Sequence, residues 1–336
     1  MRIYPSRVAR KMNSSAILSP LTITAELTGK LPMRRRMYGN FFKAGMWFSI
    51  AVAISLITFL IGFIFYRGLG NLNWSMLTST RSALHQTVGV LPNIIYTFYT
   101  VFTTLIIALP VGIGAAIYLN EYAKSGSERI SKKRAYSKPN RIRRRTFVVV
   151  RIIEFGIELL AGIPSIVYGL LGFMVFVQIT GGMTVLAGSL TLSILILPMI
   201  VRTTQEALRT VPDSYRFGSA ALGATKWHTV RTIILPGALD GVVTGIILAI
   251  GRIVGESAAL LVTAGVGSRL VTNYFDALQV SGATLTVALY SYAYEPGNWG
   301  GVSGQDVAFA IAALLVIIVL TLNLLTKLLK KFLKKG

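Results

Sequence analysis

Four stretches of this chain carry no Asp, Glu, Lys or Arg: residues 44 to 66, 82 to 120, 159 to 201 and 307 to 326. About 20 such residues suffice to cross a hydrocarbon layer, whereas soluble cores rarely need uncharged runs of this length. The composition agrees: of 336 residues 53% are hydrophobic and 14% charged, with a mean hydropathy of +0.64. Breakers subdivide the two longest runs. Leu91-Pro92-Asn93 opens a helix in one, and Thr180-Gly181-Gly182-Met183 splits the other. The pattern predicts an all-α integral membrane fold with six spans, near 44–66, 93–118, 157–179, 183–203, 238–265 and 306–328.

A formal charge of +22 would in a soluble protein point to nucleic acid, but its placement along the chain argues otherwise. Of 34 Lys and Arg, nine fall in 1–43, eleven in 119–151, five in 202–232 and five in 327–336. The alternate segments hold Arg67, Arg81 and Arg269, and Arg252 lies within a span. Basic loops stay on the cytoplasmic side, so both termini are expected there in a multi-pass protein of the cell membrane. The first 42 residues lack the apolar core of a cleavable signal peptide, and a transit-type presequence is the competing reading of this acid-poor start. With no cysteine there is neither a disulfide framework nor a thiolate site.

The chain thus divides into a basic cytoplasmic tail (1–42), a six-helix transmembrane domain (43–328) and a basic cytoplasmic C-terminus (329–336). Inside the domain lie a basic cytoplasmic loop (119–151), a second cytoplasmic loop (204–236) and an external loop (266–304). The tail, ending in Arg34-Arg35-Arg36, and the loop with Lys132-Lys133-Arg134 and Arg141 through Arg145 read as orientation signals and contacts to anionic membrane lipids. Neither is read as a nucleic-acid site. The external loop carries Tyr274, Phe275, Tyr290, Tyr292, Tyr294 and Trp299, which serve an interfacial belt or a docking surface. There is no convincing internal repeat. No soluble domain interrupts the pattern either, so any driving chemistry must come from other chains.

Thr210-Val211-Pro212-Asp213-Ser214 reads as a helix start, with proline in the first turn and Asp213 complementing the positive end of the dipole. A helix of about ten residues should follow and stop near Gly223. On it Gly218, Ser219, Ala220 and Ala221 leave little bulk, so another surface can approach the backbone, while Tyr215, Phe217 and Leu222 supply apolar contacts. The bland reading is an ordinary interfacial helix.

Within the fifth span Arg252 and Glu256 are four apart and would share one helix face. An arginine at membrane depth costs at least about 3 kcal/mol and usually faces a bundle interior or a wet cavity. The pair is either a structural ion pair or part of a solute pathway. Arg202, ending the fourth span, is either a second basic stop on that pathway or a topology signal. Pro164 removes a helical hydrogen bond in the third span and should bend it; the freed carbonyls and Ser165 either line the pathway or pack against neighbours. His85 and His228 are far apart in the chain and remote from these charges. With no clustered histidines, carboxylates or thiols in the spans, no catalytic residue, metal site or cofactor is expected.

The order Gly223, nine residues, Ile233-x-Leu235-Pro236 resembles the cytoplasmic loop of bacterial ABC importer permeases. Three further segments narrow the resemblance to the phosphate importer permeases of the PstA type. These are Ala108-Leu109-Pro110-Val111-Gly112 running to Tyr122, Ala161-Gly162-Ile163-Pro164-Ser165 running to Gly172, and Gly251-Arg252-Ile253-Val254-Gly255-Glu256-Ser257 running to Leu261. One departure stands out. Where that family usually has Glu-Ala-Ala, this chain has Phe217-Gly218-Ser219, so an acidic contact to the ATPase is missing.

The resemblance implies a type I importer permease fold with a short cytoplasmic coupling helix. It implies a transporter subunit, not an enzyme; independently of the resemblance, the pathway reading of the intramembrane charges has Arg252 attract phosphate while Glu256 holds the guanidinium in place. Tyr215, Phe217, Gly218, Ser219, Ala220, Ala221, Leu222 and Gly223 with Ile233, Leu235 and Pro236 would engage the ATPase. Implied partners are a second related permease, two cytoplasmic ATPase subunits and an external phosphate-binding protein. Nothing in the chain fits the G-x-x-x-x-G-K-[ST] loop, so nucleotide chemistry would lie on a partner. Two alternatives stand: a permease for another oxyanion, such as sulfate or molybdate, and an integral membrane enzyme acting on lipid phosphates.

Overall fold

A computed structural model describes residues 33–82, 87–123, 141–294, 297–299 and 301–333. The tail through residue 32, the basic loop from 124 to 140 and residues 334–336, read above as lipid contacts and topology signals, lie outside the described residues. By its internal contacts the chain falls into two units, residues 1–62 and 63–336.

The described part of the first unit is a single helical run that begins α1, Met33–Gly68. Its side chains are exposed from Tyr38 onward and apolar on every side. A helix with no polar stripe has no water-facing side, which suits lipid or a partner helix as its surroundings.

The second unit is built of helices. α2 spans Leu91–Ile117 and is prolonged by a wider turn, Tyr118–Ala123. α3, Arg141–Gly162, is followed by α4, Ser165–Gly172, which runs on through Phe173–Val177 to Thr180. α5 spans Val185–Arg209 and α6 spans Asp213–Ala221. α7, Lys226–Thr229, passes through a wide turn, Val230–Ile234, into α8, Leu235–Gly255. Then come α9, Ala258–Thr263; α10, Tyr274–Leu278; α11, Leu285–Tyr294; and α12, Gly304–Leu333. Two short antiparallel ribbons join them, β1 (Thr80–Ser82) with β2 (Thr87–Val90) and β3 (Asn298–Trp299) with β4 (Val302–Ser303). Among the described residues five helices are long and apolar enough to cross a membrane, or six if α3 and α4 together make one bent span.

Three expectations change. The third span is not one bent helix over 157–179: α3 and α4 meet at 105°, a sharper break than a proline kink inside a continuous helix. Pro164 there is extended, with φ −60° and ψ 143°, so helical geometry stops and restarts rather than bending. The fifth span is not continuous to 265. It ends at Gly255, because Glu256 is extended (φ −83°, ψ 121°) and α9 begins anew at Ala258. Glycine is weak inside helices, and Glu256 gains a main-chain partner only outside one. The stretch 266–304 is not merely a loop: in it α11 buries Leu285, Val287 and Tyr292, with Leu285 and Tyr292 in one core with Val307 and Ile311 of α12.

The central core joins α2, α5, α8 and α9 through Val101, Leu192, Ile196, Ala249, Ile253 and Leu260. Small and hydroxylated residues let these backbones approach. Ser193 of α5 donates to the Thr104 carbonyl of α2 at 3.4 Å, and Thr104 donates to the Ser189 carbonyl at 3.4 Å. A close approach of this kind sits between the two short helices after the breaks, where a Cβ on Gly169 of α4 would stand 2.8 Å from the Ala259 Cα of α9. Backbone cannot step aside as a side chain can. Gly169→Ala is therefore expected to cost about 1–3 kcal/mol by overpacking, read as a lower thermal aggregation temperature of the detergent-solubilised protein.

Candidate coupling helix and intramembrane charges

α5 and α8 converge on a small apolar core of Ala207, Leu208, Val211, Val230, Ile234, Ala238 and Val242, and α6 is carried on the chain between them. Pro212 leaves the backbone extended ahead of α6, and Asp213 sits in its first turn. The helix ends where expected. Gly223 adopts φ +80°, the left-handed region, and Ala224 donates its N–H to the Ser219 carbonyl at 3.1 Å, closing the end of the helix. Pro236 stands in the first turn of α8, and the wide turn Val230–Ile234 just before it absorbs the lost ladder bond. Of Ile233, Ile234 and Leu235, the deeply buried residue is Ile234; Ile233 and Leu235 are half-buried and Pro236 is exposed.

On its outer side α6 presents Tyr215 at 56%, Phe217 at 73% and Leu222 at 90% exposure. A Cβ on Gly218 would meet open space, and Ala220 and Ala221 are exposed, so the backbone here is approachable. On its inner side Ser219 is buried and shares a 2.7 Å hydrogen bond with Thr229 of α7.

Arg216 was not singled out by the sequence reading, and neither was its partner, Glu121. The Arg216 guanidinium donates from Nη2 to Glu121 Oε1 at 2.8 Å and from Nε to both Glu121 oxygens at 3.2 and 3.3 Å. It also donates to the Val211 carbonyl (2.7 Å), the Leu208 carbonyl (2.9 Å) and Asp213 Oδ1 (3.0 Å). The side chains are 20% and 6% exposed, respectively. Burial by itself would lower the Arg216 pKa, but hydrogen bonding and charge from Glu121, then Asp213, outweigh it and hold the pKa above the usual arginine value. The guanidinium is thus charged throughout the physiological range. The signal in the sequence was that Glu121 closes the longest charge-free run of its region, 82 to 120.

The charges expected on a pathway are arranged differently. Arg252, in the last turn of α8, is exposed in the single chain and lies within electrostatic reach of the Tyr168 hydroxyl. Glu256 does not share its helix face, since α8 has already ended; among the described residues no ion pair joins the two. Instead Glu256, 9% exposed, accepts the Ala259 N–H at 3.3 Å, while its carbonyl accepts from Thr286 at 2.9 Å. Arg202 lines a cavity of about 350 Å³ with Glu154, Ile157, Glu158, Gln205, Glu206 and Arg209. At the Pro164 break the Leu160 carbonyl is taken by the Ile163 N–H at 3.3 Å and by the Tyr168 hydroxyl at 2.6 Å, so that freed group is spent internally; Ser165 is half-buried.

Since Gly223 holds a conformation that a β-branched residue resists, Gly223→Val is expected to cost roughly 1–2 kcal/mol and to loosen the end of α6. Faster amide exchange confined to residues 218–225 is the measurement that checks it.

Comparison with known proteins follows the same lines. Residues 140–336 match the family described as the binding-protein-dependent transport system inner membrane component. The chain is 31% identical over 304 residues to the phosphate transport system permease protein PstA 1 of Mycobacterium tuberculosis, covering 88% of this chain and 89% of that one. It is 29% identical to the PstA permease of Haemophilus influenzae, over 88% of this chain and 94% of that one. Among solved structures the MetNI methionine ABC transporter matches with a TM-score of 0.48 and 20% identity, covering 74% of this chain and 97% of that one. With five or six apolar helices long enough to cross a membrane, this is a multi-pass membrane protein, and it belongs to the family of binding-protein-dependent transport system inner membrane components.

Proposed function

We propose that the chain is the permease subunit of an ATP-driven importer for inorganic phosphate, forming half of the translocation pathway and coupled to a separate ATPase. The observation that carries the coupling is α6: a nine-residue helix held between two spans, its inner side fastened by Arg216 and Ser219, its outer side open with Tyr215, Phe217 and Leu222. Phosphate as solute is supported by the relatives named as phosphate permeases over most of their length. In this reading α6 faces the cytoplasm with both termini, as the basic loops favour. The partners are a second related permease, two ATPase subunits and an external phosphate-binding protein.

The physics of the solute requires a driven cycle. Each negative charge entering against about 100 mV, inside negative, costs roughly 2.3 kcal/mol, and a divalent anion about twice that. A passive pore would run outward. Passage also needs weak, transient binding. Arg252 and Arg202, neither of them locked into an ion pair among the described residues, supply that kind of charge along the route. Glu256 acts by shaping the break between α8 and α9 rather than by orienting Arg252.

Arg252→Gln is expected to lower phosphate uptake in proteoliposomes holding the full complex by roughly tenfold or more, the effect of about 1.4 kcal/mol, with membrane abundance unchanged. Uptake near the unsubstituted level would overturn the pathway assignment, and competition by sulfate or molybdate as strong as by phosphate would overturn the solute. Phe217→Ser is expected to weaken capture of the ATPase subunit by the solubilised permease by about tenfold or more, as for loss of an aromatic anchor.

A further inference from the structure

We infer that the Glu121–Arg216 pair is the strut that passes movement of α6 into α2, a positioning pair for the transport cycle rather than a solute contact. The inference rests on α6 being the ATPase-coupling element. α6 is joined by the chain itself only to α5 and α7, so a push on it reaches those helices through covalent connection. α2 has no such connection: Glu121 lies 95 residues before Arg216. Some contact must carry the motion across, and the guanidinium is built for it.

All five Arg216 N–H donors are engaged, on the end of α5 and the turn after it (Leu208 and Val211), on α6 itself (Asp213) and on the wider turn that prolongs α2 (Glu121). A planar fork fixed at every donor transmits displacement in any direction, which a single-point ammonium does not. The same end of α2 is held from a second side. Lys226 Nζ of α7 stands 4.7 Å from the centroid of the Tyr122 ring, which Tyr118 stacks upon with centroids 6.3 Å apart. α6 and α7 therefore grip one short segment, Tyr118–Ala123, between them. Beyond it α2 runs the length of the bundle against α5, tied by the Thr104, Ser189 and Ser193 bonds. Packed elements of this kind move as units.

The absence of native cysteine makes the test direct. The full complex, with its partner permease, ATPase and binding protein, is reconstituted, and binding-protein-stimulated ATP hydrolysis and phosphate uptake are measured together. Glu121→Gln and Arg216→Lys are each expected to leave assembly and basal ATP hydrolysis in place while uptake per ATP falls about 5- to 150-fold, the usual range of one coupling interaction. In the double variant Glu121→Cys with Arg216→Cys, a bifunctional thiol reagent that spans the gap is expected to restore uptake per ATP, and a monofunctional reagent is not. A role confined to folding would not be rescued after the protein has folded.

Unchanged uptake per ATP in the single variants overturns the strut. So does loss of assembly with normal coupling in the fraction that still assembles, and so does a bridged complex that hydrolyses ATP without regaining transport. If the unsubstituted complex shows stimulated hydrolysis but no phosphate uptake, the solute reading fails alone, and the strut is then judged by whether each variant loses the stimulation. Absence of any stimulation in the unsubstituted complex overturns the ATPase reading, and the strut with it.

Discussion

A layer without water leaves every main-chain donor and acceptor to find its partner inside the protein. Long helices meet that demand by themselves. The two interior breaks do not, and the side chains around them are explained by it. At Pro164 the Leu160 carbonyl receives the Tyr168 hydroxyl. At Glu256 the carboxylate receives the Ala259 N–H and the carbonyl receives Thr286. With both breaks satisfied, the short helices that follow, α4 and α9, can press together at Gly169 and Ala259, and α5 joins them where Gly188 meets Leu260 and Ala264. The centre of the bundle is thus made of interrupted helices held by side-chain hydrogen bonds, not of six parallel rods.

In the proposed reading two kinds of arginine divide the work. Arg216 has spent every donor on protein oxygen atoms and has nothing left for a solute, which suits a rigid joint. Arg202 and Arg252 have no ion pair among the described residues, which on the proposed pathway would leave their donors for a passing anion. The same side chain can brace or bind, and the count of its neighbours' acceptors decides which.

What could be read from the residues depended on whether the signal was local. Charge-free runs and breaker residues pointed to the apolar segments, because hydrocarbon thickness sets a length that any sequence must meet, but they did not reveal that the third and fifth are interrupted at Pro164 and Glu256. Pro212, Asp213 and Gly223 likewise marked both ends of α6, since caps are written in adjacent positions. Glu256 was misread because i, i+4 spacing presumes an unbroken helix, and nothing in Gly255-Glu256-Ser257 alone says that the carboxylate will turn to the next helix's N–H. Arg216 and Glu121 escaped notice for the opposite reason: each is ordinary in its own segment, and their meaning appears only when α2 and α6 are brought together. α11 was taken for loop because its ten residues are too few to cross a membrane, though enough to bury Tyr292.

Phe217 in the place of an acidic residue has a consequence for how the assembly proposed above would respond to its surroundings. A carboxylate contact weakens as salt accumulates in the cytoplasm, because mobile ions screen it. An aromatic contact is indifferent to screening but loses strength as water cools, since apolar burial draws on solvent entropy. A permease that gripped its motor through Phe217, Tyr215 and Leu222, as proposed, would exchange sensitivity to osmotic stress for sensitivity to cold.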